Sequence, residues 1–126
     1  MSQKKSNNIY DQNIVNALRK LPNPIEDKKH GLLIYFRDDR SRSNETRFEH
    51  IAKKHHELKV RDIEAIPNGI NKYVKFCKSK TLKDTYYYYI NRKGEDTGFI
   101  QLTILVDMFD KKKAYVKTIF IAYRIN

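Results

Sequence analysis

GFIQLTILVDMF, residues 98–109, alternates: Ile100, Leu102, Ile104, Val106 and Met108 occupy every second position, with Phe99, Gln101, Thr103, Leu105 and Asp107 between them. A period of two puts successive side chains on opposite sides of a strand, so the aliphatic set predicts a core face and the other set an open face. Flanking segments carry the same signal. NKYVKFCKSK (71–80), DTYYYYINR (84–92) and AYVKTIFIAYRI (114–125) read as three further strands, with KGEDTG (93–98) and DKKK (110–113) as hairpin links. Short links between consecutive strands predict an antiparallel meander. Alternation then assigns Val74, Phe76, Tyr86, Tyr88, Ile90, Ile119, Ile121, Tyr123 and Ile125 to the core. It leaves Tyr73, Lys75, Cys77, Tyr87, Tyr89, Asn91, Gln101, Thr103, Val116, Thr118, Phe120 and Ala122 on a second face.

Upstream of the meander the period changes. From Tyr10 to Leu21 the apolar positions recur at helical spacing, and LPNPIED (21–27) ends the pattern because proline cannot continue a helix. GLLIYFR (31–37) reads as a buried strand, and RDDRSRSN (37–44) as a polar loop that delivers Asn44 as the N-cap of a second helix. A shorter helical turn, Arg61–Ile66, follows and is closed by PNG (67–69). Helices first and strands afterwards predict an α+β domain, its N-terminal helices packed on one face of a four- to five-stranded antiparallel sheet. The 126 residues suit one domain, 1–126, with residues 1–8 expected to fray.

Charge narrows the partner. With 26 Lys and Arg against 15 Asp and Glu, the net charge of +11 favours a polyanion, because each phosphate neutralised releases condensed counterions. No apolar run approaches the roughly 20 residues needed to cross a bilayer, and the start shows no signal-peptide pattern. A single cysteine, Cys77, excludes an internal disulfide, so a cytoplasmic setting without cofactor or membrane partner is expected. The second sheet face, where tyrosines stand beside cations and hydroxyls, suits unstacked bases and phosphates as well as it suits plain strand formation.

Three of the four histidines lie in ETRFEHIAKKHHELKVRDIEAI (45–66). In helical projection Phe48, Ile51, Ala52 and Leu58 form the apolar stripe, with His55 at its centre, His56 on its flank and His50 almost opposite. His50 and His55 are five apart, unlike the i, i+4 pair of zinc hydrolases, so no metal site is expected. His55 reads either as a hydrogen-bonded residue at the rim of the core or as a general acid or base, since imidazole both takes and gives a proton near neutrality.

EHIAKKHHEL and DIEAI, then the tyrosine-rich strand, the long aliphatic strand and VKTIFI (116–121), together resemble the barnase/EndoU/colicin/RelE-like ribonucleases, particularly their phage-associated branch. The resemblance covers residues 31–126. It implies a BECR-like RNase fold and metal-independent endoribonuclease activity, in which the ribose 2′-hydroxyl attacks the adjacent phosphate to leave a 2′,3′-cyclic phosphate. Matching residue by residue, it points to His50 and His55 on the helix and to Lys117 and Thr118 on the closing strand. His55 is the favoured acid or base, Thr118 the group that orients the 2′-hydroxyl or a phosphate oxygen, and Tyr89 a source of a phenol. Alternation turns Lys117 to the other face, so Arg92, Lys75 or Arg47 are the candidate cations for the transition state in its place. Lys75, Tyr87, Gln101, Arg47 and Lys54 are the expected RNA contacts. The same resemblance implies a toxin of a phage or mobile element with an acidic antitoxin or immunity protein as partner. A noncatalytic RNA- or DNA-binding module is the alternative, for which charge and tyrosines suffice.

Overall fold

The computed structural model describes residues 10–42 and 45–125. The expected frayed segment 1–8 and the expected N-cap Asn44 lie outside the described residues. The chain opens with α1 (Gln12–Arg19), whose N-cap Asp11 accepts a hydrogen bond from the Asn13 amide. Next come β1 (Ile25–Asp27), β2 (Leu32–Tyr35) and a small pair, β3 (Arg40–Arg42) inside the segment expected to be loop and β4 (Glu45–Thr46) at the expected start of the second helix. Helix α2 (Arg47–Lys54) starts on a capping box: the Thr46 hydroxyl accepts from the Glu49 amide, and the Glu49 carboxylate accepts from the Thr46 amide. Two short helices follow, α3 (Val60–Glu64) and α4 (Ile66–Gly69). Pro67 therefore starts a helical turn, its missing N–H costing nothing there. The strands β5 (Lys75–Lys78), β6 (Thr85–Asn91), β7 (Phe99–Val106) and β8 (Lys113–Ala122) complete the α+β architecture.

The main sheet differs from the expected antiparallel set of four or five. It has six strands in the order β1-β2-β8-β7-β6-β5, and it is mixed, because β2 pairs parallel to β8 through Leu33–Lys113, Ile34–Ala114 and Tyr35–Tyr115. The meander β5 to β8 is antiparallel as read. One apolar cluster joins Ile14, Val15 and Leu18 of α1, Phe48, Ile51 and Ala52 of α2 and Ile63 of α3 to Ile34, Tyr88, Ile90, Ile100, Leu102, Ile104 and Ile119 of the sheet. Helix α4 approaches β6 so closely that a Cβ on Gly69 would overlap the Ile90 side chain.

Alternation fails at strand ends and at one bulge, each time for a local reason. Strand β7 ends at Val106, and the Asp107 carboxylate then accepts from the Phe109 and Asp110 amides, so the chain turns and Met108 is 59% exposed instead of buried. Tyr123 lies beyond the end of β8 and is likewise exposed, while Ile125 is only half-buried. At the other end β5 starts only at Lys75. Val74 is 45% exposed, and Tyr73 turns inward against Phe76 and Tyr88. The remaining exception is a bulge in β8: Thr103 pairs with Thr118 but Ile104 pairs with Val116, so Lys117 is the extra residue. Val116 consequently joins the core, contrary to expectation, while Thr118 and Phe120 stay on the open face.

Candidate functional site

Register turns the open face into two rows that run across four strands. One is Lys75–Tyr89–Gln101–Phe120 and the other is Cys77–Tyr87–Thr103–Thr118. Three strand spacings of roughly 4.8 Å make each row about 14 Å long. This face is sheltered: Tyr89, Gln101 and Thr103 are all buried although none points into the apolar cluster. At the β5 end a cavity of about 330 Å³ is lined by Lys75, Lys78, Lys80, Tyr87, Tyr89 and Gln101.

His55 stands at the β8 end of both rows. Helix α2 stops at Lys54, and His55 is its C-cap at φ −116° and ψ 75°, so its ring leaves the helix instead of lying on the projected stripe. The His55 Nε2 lies 3.2 Å from the Thr118 Oγ1, and its ring packs on Phe120 at 5.4 Å between centroids. Burial lowers the imidazole pKa below its ordinary value. The Glu57 carboxylate opposes that shift, and the charges of His50, Lys54 and His56 add to it. The half-buried ring is therefore a proton acceptor at neutral pH, held against a hydroxyl.

Two cationic residues adjoin this pair, Lys117 in sequence and Arg47 by a bond to the bulge backbone. Lys117 is exposed and adjacent to Thr118, and its carbonyl accepts a hydrogen bond from Arg47 Nη1 at 3.3 Å. Side chains from the two ends of α2, Arg47 and His55, thus both meet β8 at Lys117–Thr118. Arg47 also binds Asp39 at 2.8 Å, and that bond holds the Asp39 carboxyl below the usual carboxylate range. Lys54 is exposed on the last turn of α2, next to His55.

Four of the residues implied for catalysis lie elsewhere: Lys75 on β5 and Tyr89 on β6 are three and two strands from Thr118 on β8, and His50 and Arg92 are bonded to carboxylates. His50 Nδ1 is 2.8 Å from Glu45 Oε1, and with Lys53 it keeps the Glu45 carboxyl below its ordinary range; it pins the start of α2 and does not join His55. Arg92 forms a two-point ion pair with Asp62, Nε to Oδ1 at 3.0 Å and Nη2 to Oδ2 at 2.9 Å. Its other bonds go to the Thr97 and Glu57 carbonyls. With Asp62 fully buried and the Arg92 side chain 4% exposed, this guanidinium fastens α3 to the end of β6 and is removed from the candidate cations.

Sequence reasoning passed over Phe120 as a wall for His55, and over a second histidine cluster entirely. Asp27, fully buried, accepts from the His30 amide, from His30 Nδ1 at 2.8 Å and from the Tyr88 hydroxyl. The signal was present as Asp27-x-x-His30, the spacing of a turn closed by its own aspartate. Among the described residues no group of three or more His, Cys, Asp or Glu is placed to hold a metal ion, and no helix is long and apolar enough to cross a membrane. No family model matches the chain, and comparison with curated proteins and with solved structures gives no match.

Proposed function

We propose that the protein is a metal-independent endoribonuclease that cleaves RNA by 2′-hydroxyl transesterification. The observation that carries the reading is the His55 Nε2 to Thr118 Oγ1 contact at 3.2 Å, at one end of a sheltered face floored by Tyr87, Tyr89 and Gln101. RNA enters as a single strand across β5 to β8, a base stacking on the half-buried Tyr87 and its phosphates meeting Lys75, Lys54 and Lys117. His55, kept unprotonated by burial, takes the proton of the 2′-hydroxyl. The 2′-oxygen bonds to phosphorus as the bond from phosphorus to the 5′-oxygen breaks; the leaving oxygen takes a proton from solvent, and the product carries a 2′,3′-cyclic phosphate. Thr118 orients the attacking hydroxyl. Lys117, the neighbour of Thr118 in sequence, together with Arg47, offsets the charge that grows on the nonbridging oxygens. The resemblance of the helix and closing-strand residues to the barnase/EndoU/colicin/RelE-like ribonucleases supports the same chemistry and a BECR-like fold. With it come a cytoplasmic site of action, a phage or mobile-element toxin, and an acidic antitoxin whose surface meets the net charge of +11.

The test is cleavage of mixed RNA in EDTA by the parent protein and by His55→Ala, with analysis of the fragment ends. Cyclic phosphate ends, formed roughly 10²- to 10⁴-fold more slowly by the variant, are expected for loss of a general base. Salt-sensitive RNA binding by both proteins with cleavage by neither would replace this reading with a noncatalytic binding module.

A further inference from the structure

A second chemically distinctive cluster lies on the other side of the sheet from His55. Asp27 sits at the end of β1 with no solvent exposure, and its carboxylate accepts three hydrogen bonds, two of them from His30. Burial and the Asp27 hydrogen bond push the Tyr88 hydroxyl pKa far up, so Tyr88 stays a donor. Because a carboxylate only accepts, His30 Nδ1 must carry a proton, and in the neutral ring Nε2 is left with the lone pair. Among the described residues His30 Nε2 has no hydrogen-bond partner. The arrangement resembles a metal- or substrate-facing histidine held by an orienting carboxylate, and only one histidine is present, which argues against a metal.

The ring has flat neighbours. His30 stacks on Phe76 at 4.0 Å with 24° between planes, and Phe76 stacks on Tyr86 at 5.3 Å with 7° between planes. These three rings line a cavity of about 390 Å³, closed by Leu32 and Val106. Asp84 and Lys111, 3.8 Å apart, complete its lining with one acceptor and one donor. Ligand sites are commonly apolar and aromatic clefts of about 300–1,000 Å³ with a few convergent polar groups, and this cavity has that make-up.

We propose that this cavity is a binding site for a nucleobase-sized planar heterocycle, which packs on the Phe76–Tyr86 rings beside His30 and donates an N–H, in the plane of the imidazole, to His30 Nε2. Lys111 and Asp84 meet the exocyclic oxygen and amino groups. The base comes either from a free nucleoside or from an RNA strand, and the chemistry recognised is the same. The site is independent of the cleavage reading, since Phe76, Tyr86 and Val106 face the apolar cluster while Tyr87, Gln101 and Thr118 face the opposite way.

The experiment is titration of the whole protein, followed by amide shifts, with adenosine, guanosine, cytidine and uridine separately, and then with a single-stranded tetranucleotide. Saturable shifts centred on His30, Phe76, Tyr86 and Val106 with at least one nucleoside are expected; the same shifts with the tetranucleotide and none with nucleosides would assign the site to a strand. His30→Phe keeps the ring and removes Nε2, and is expected to weaken binding at least about tenfold. Tyr86→Leu leaves the Asp27 bonds intact, so it separates loss of stacking from loss of fold; it too should weaken binding roughly tenfold. His55→Ala should leave these affinities unchanged. Shifts confined to the Tyr87–Thr118 face, or binding unaffected by both His30→Phe and Tyr86→Leu, would overturn the proposal.

Discussion

Replacing Arg92 by alanine separates a structural guanidinium from a catalytic one. The parent residue makes two bonds to Asp62, at 3.0 and 2.9 Å, in a pair whose side chains are 4% and 0% exposed. Removing it leaves a buried carboxylate whose remaining bond comes from the Lys59 amide at 2.9 Å. Breaking a buried pair from one side costs about 3–5 kcal/mol, a large share of the roughly 5–15 kcal/mol that holds a domain folded. With a urea slope of roughly 1.5 kcal/mol per molar, the unfolding midpoint should fall by about 2–3 M. Equilibrium unfolding followed by circular dichroism reads this directly. Arg92→Lys keeps the charge but not the two-point geometry, and should lie between parent and alanine. Asp62→Leu/Arg92→Leu removes both charges together and should recover part of the loss. An Arg92→Ala protein within about 1 kcal/mol of the parent would refute the argument and return Arg92 to the pool of available cations.

Three other outcomes follow from the structure. Burial lowers the His55 pKa, so its NMR titration should fall below the ordinary imidazole value of about 6.5, and the acid limb of any cleavage profile should fall with it; the stability tied to this shift is present above the unfolded value and lost as pH drops through the folded one. Gly69→Ala should cost about 1–3 kcal/mol in thermal or urea unfolding despite alanine's better helix propensity, because its Cβ overlaps the Ile90 branch methyl, and Ile90→Leu should relieve part of that cost. Thr46→Ala opens the capping box of α2 and should lower stability by about 1 kcal/mol, read from the urea midpoint, while leaving the His55 titration in place.

Periodicity was legible wherever neighbours along the chain decide the outcome. Ile100, Leu102, Ile104 and Val106 are buried as alternation requires, and Tyr87, Gln101 and Thr103 share the opposite face. Thr118 was placed on that face too, although the bulge at Lys117 moved Val116 off it, a shift that depends on pairing with β7 and leaves no mark in composition. The meeting of His55 with Thr118 joins positions 63 apart, and helical projection pointed at it for an incomplete reason, since the ring leaves from a C-cap. Arg92 looked available because its partner lies 30 residues away; a buried ion pair has no sequence period. The parallel β2–β8 pairing was equally hidden, for β2 carried the pattern of a buried strand without saying which neighbour it would find.

Strand β8 lies between β2 and β7, and it is also the latest of the six strands in chain order. Until residues 113–122 have been synthesised, the β1–β2 hairpin and the β5–β7 meander have no common edge, and each exposes an unpaired ladder to other chains. A nascent chain at that stage carries its imidazole but not the threonine it meets, so the face over β5–β8 is assembled in the same event that joins the two halves of the sheet. Long-range pairing of this kind slows folding and ties it to the synthesis of β8. A truncation within β8 should therefore yield a protein that lacks both the site and a continuous sheet, rather than a folded domain that is merely inactive.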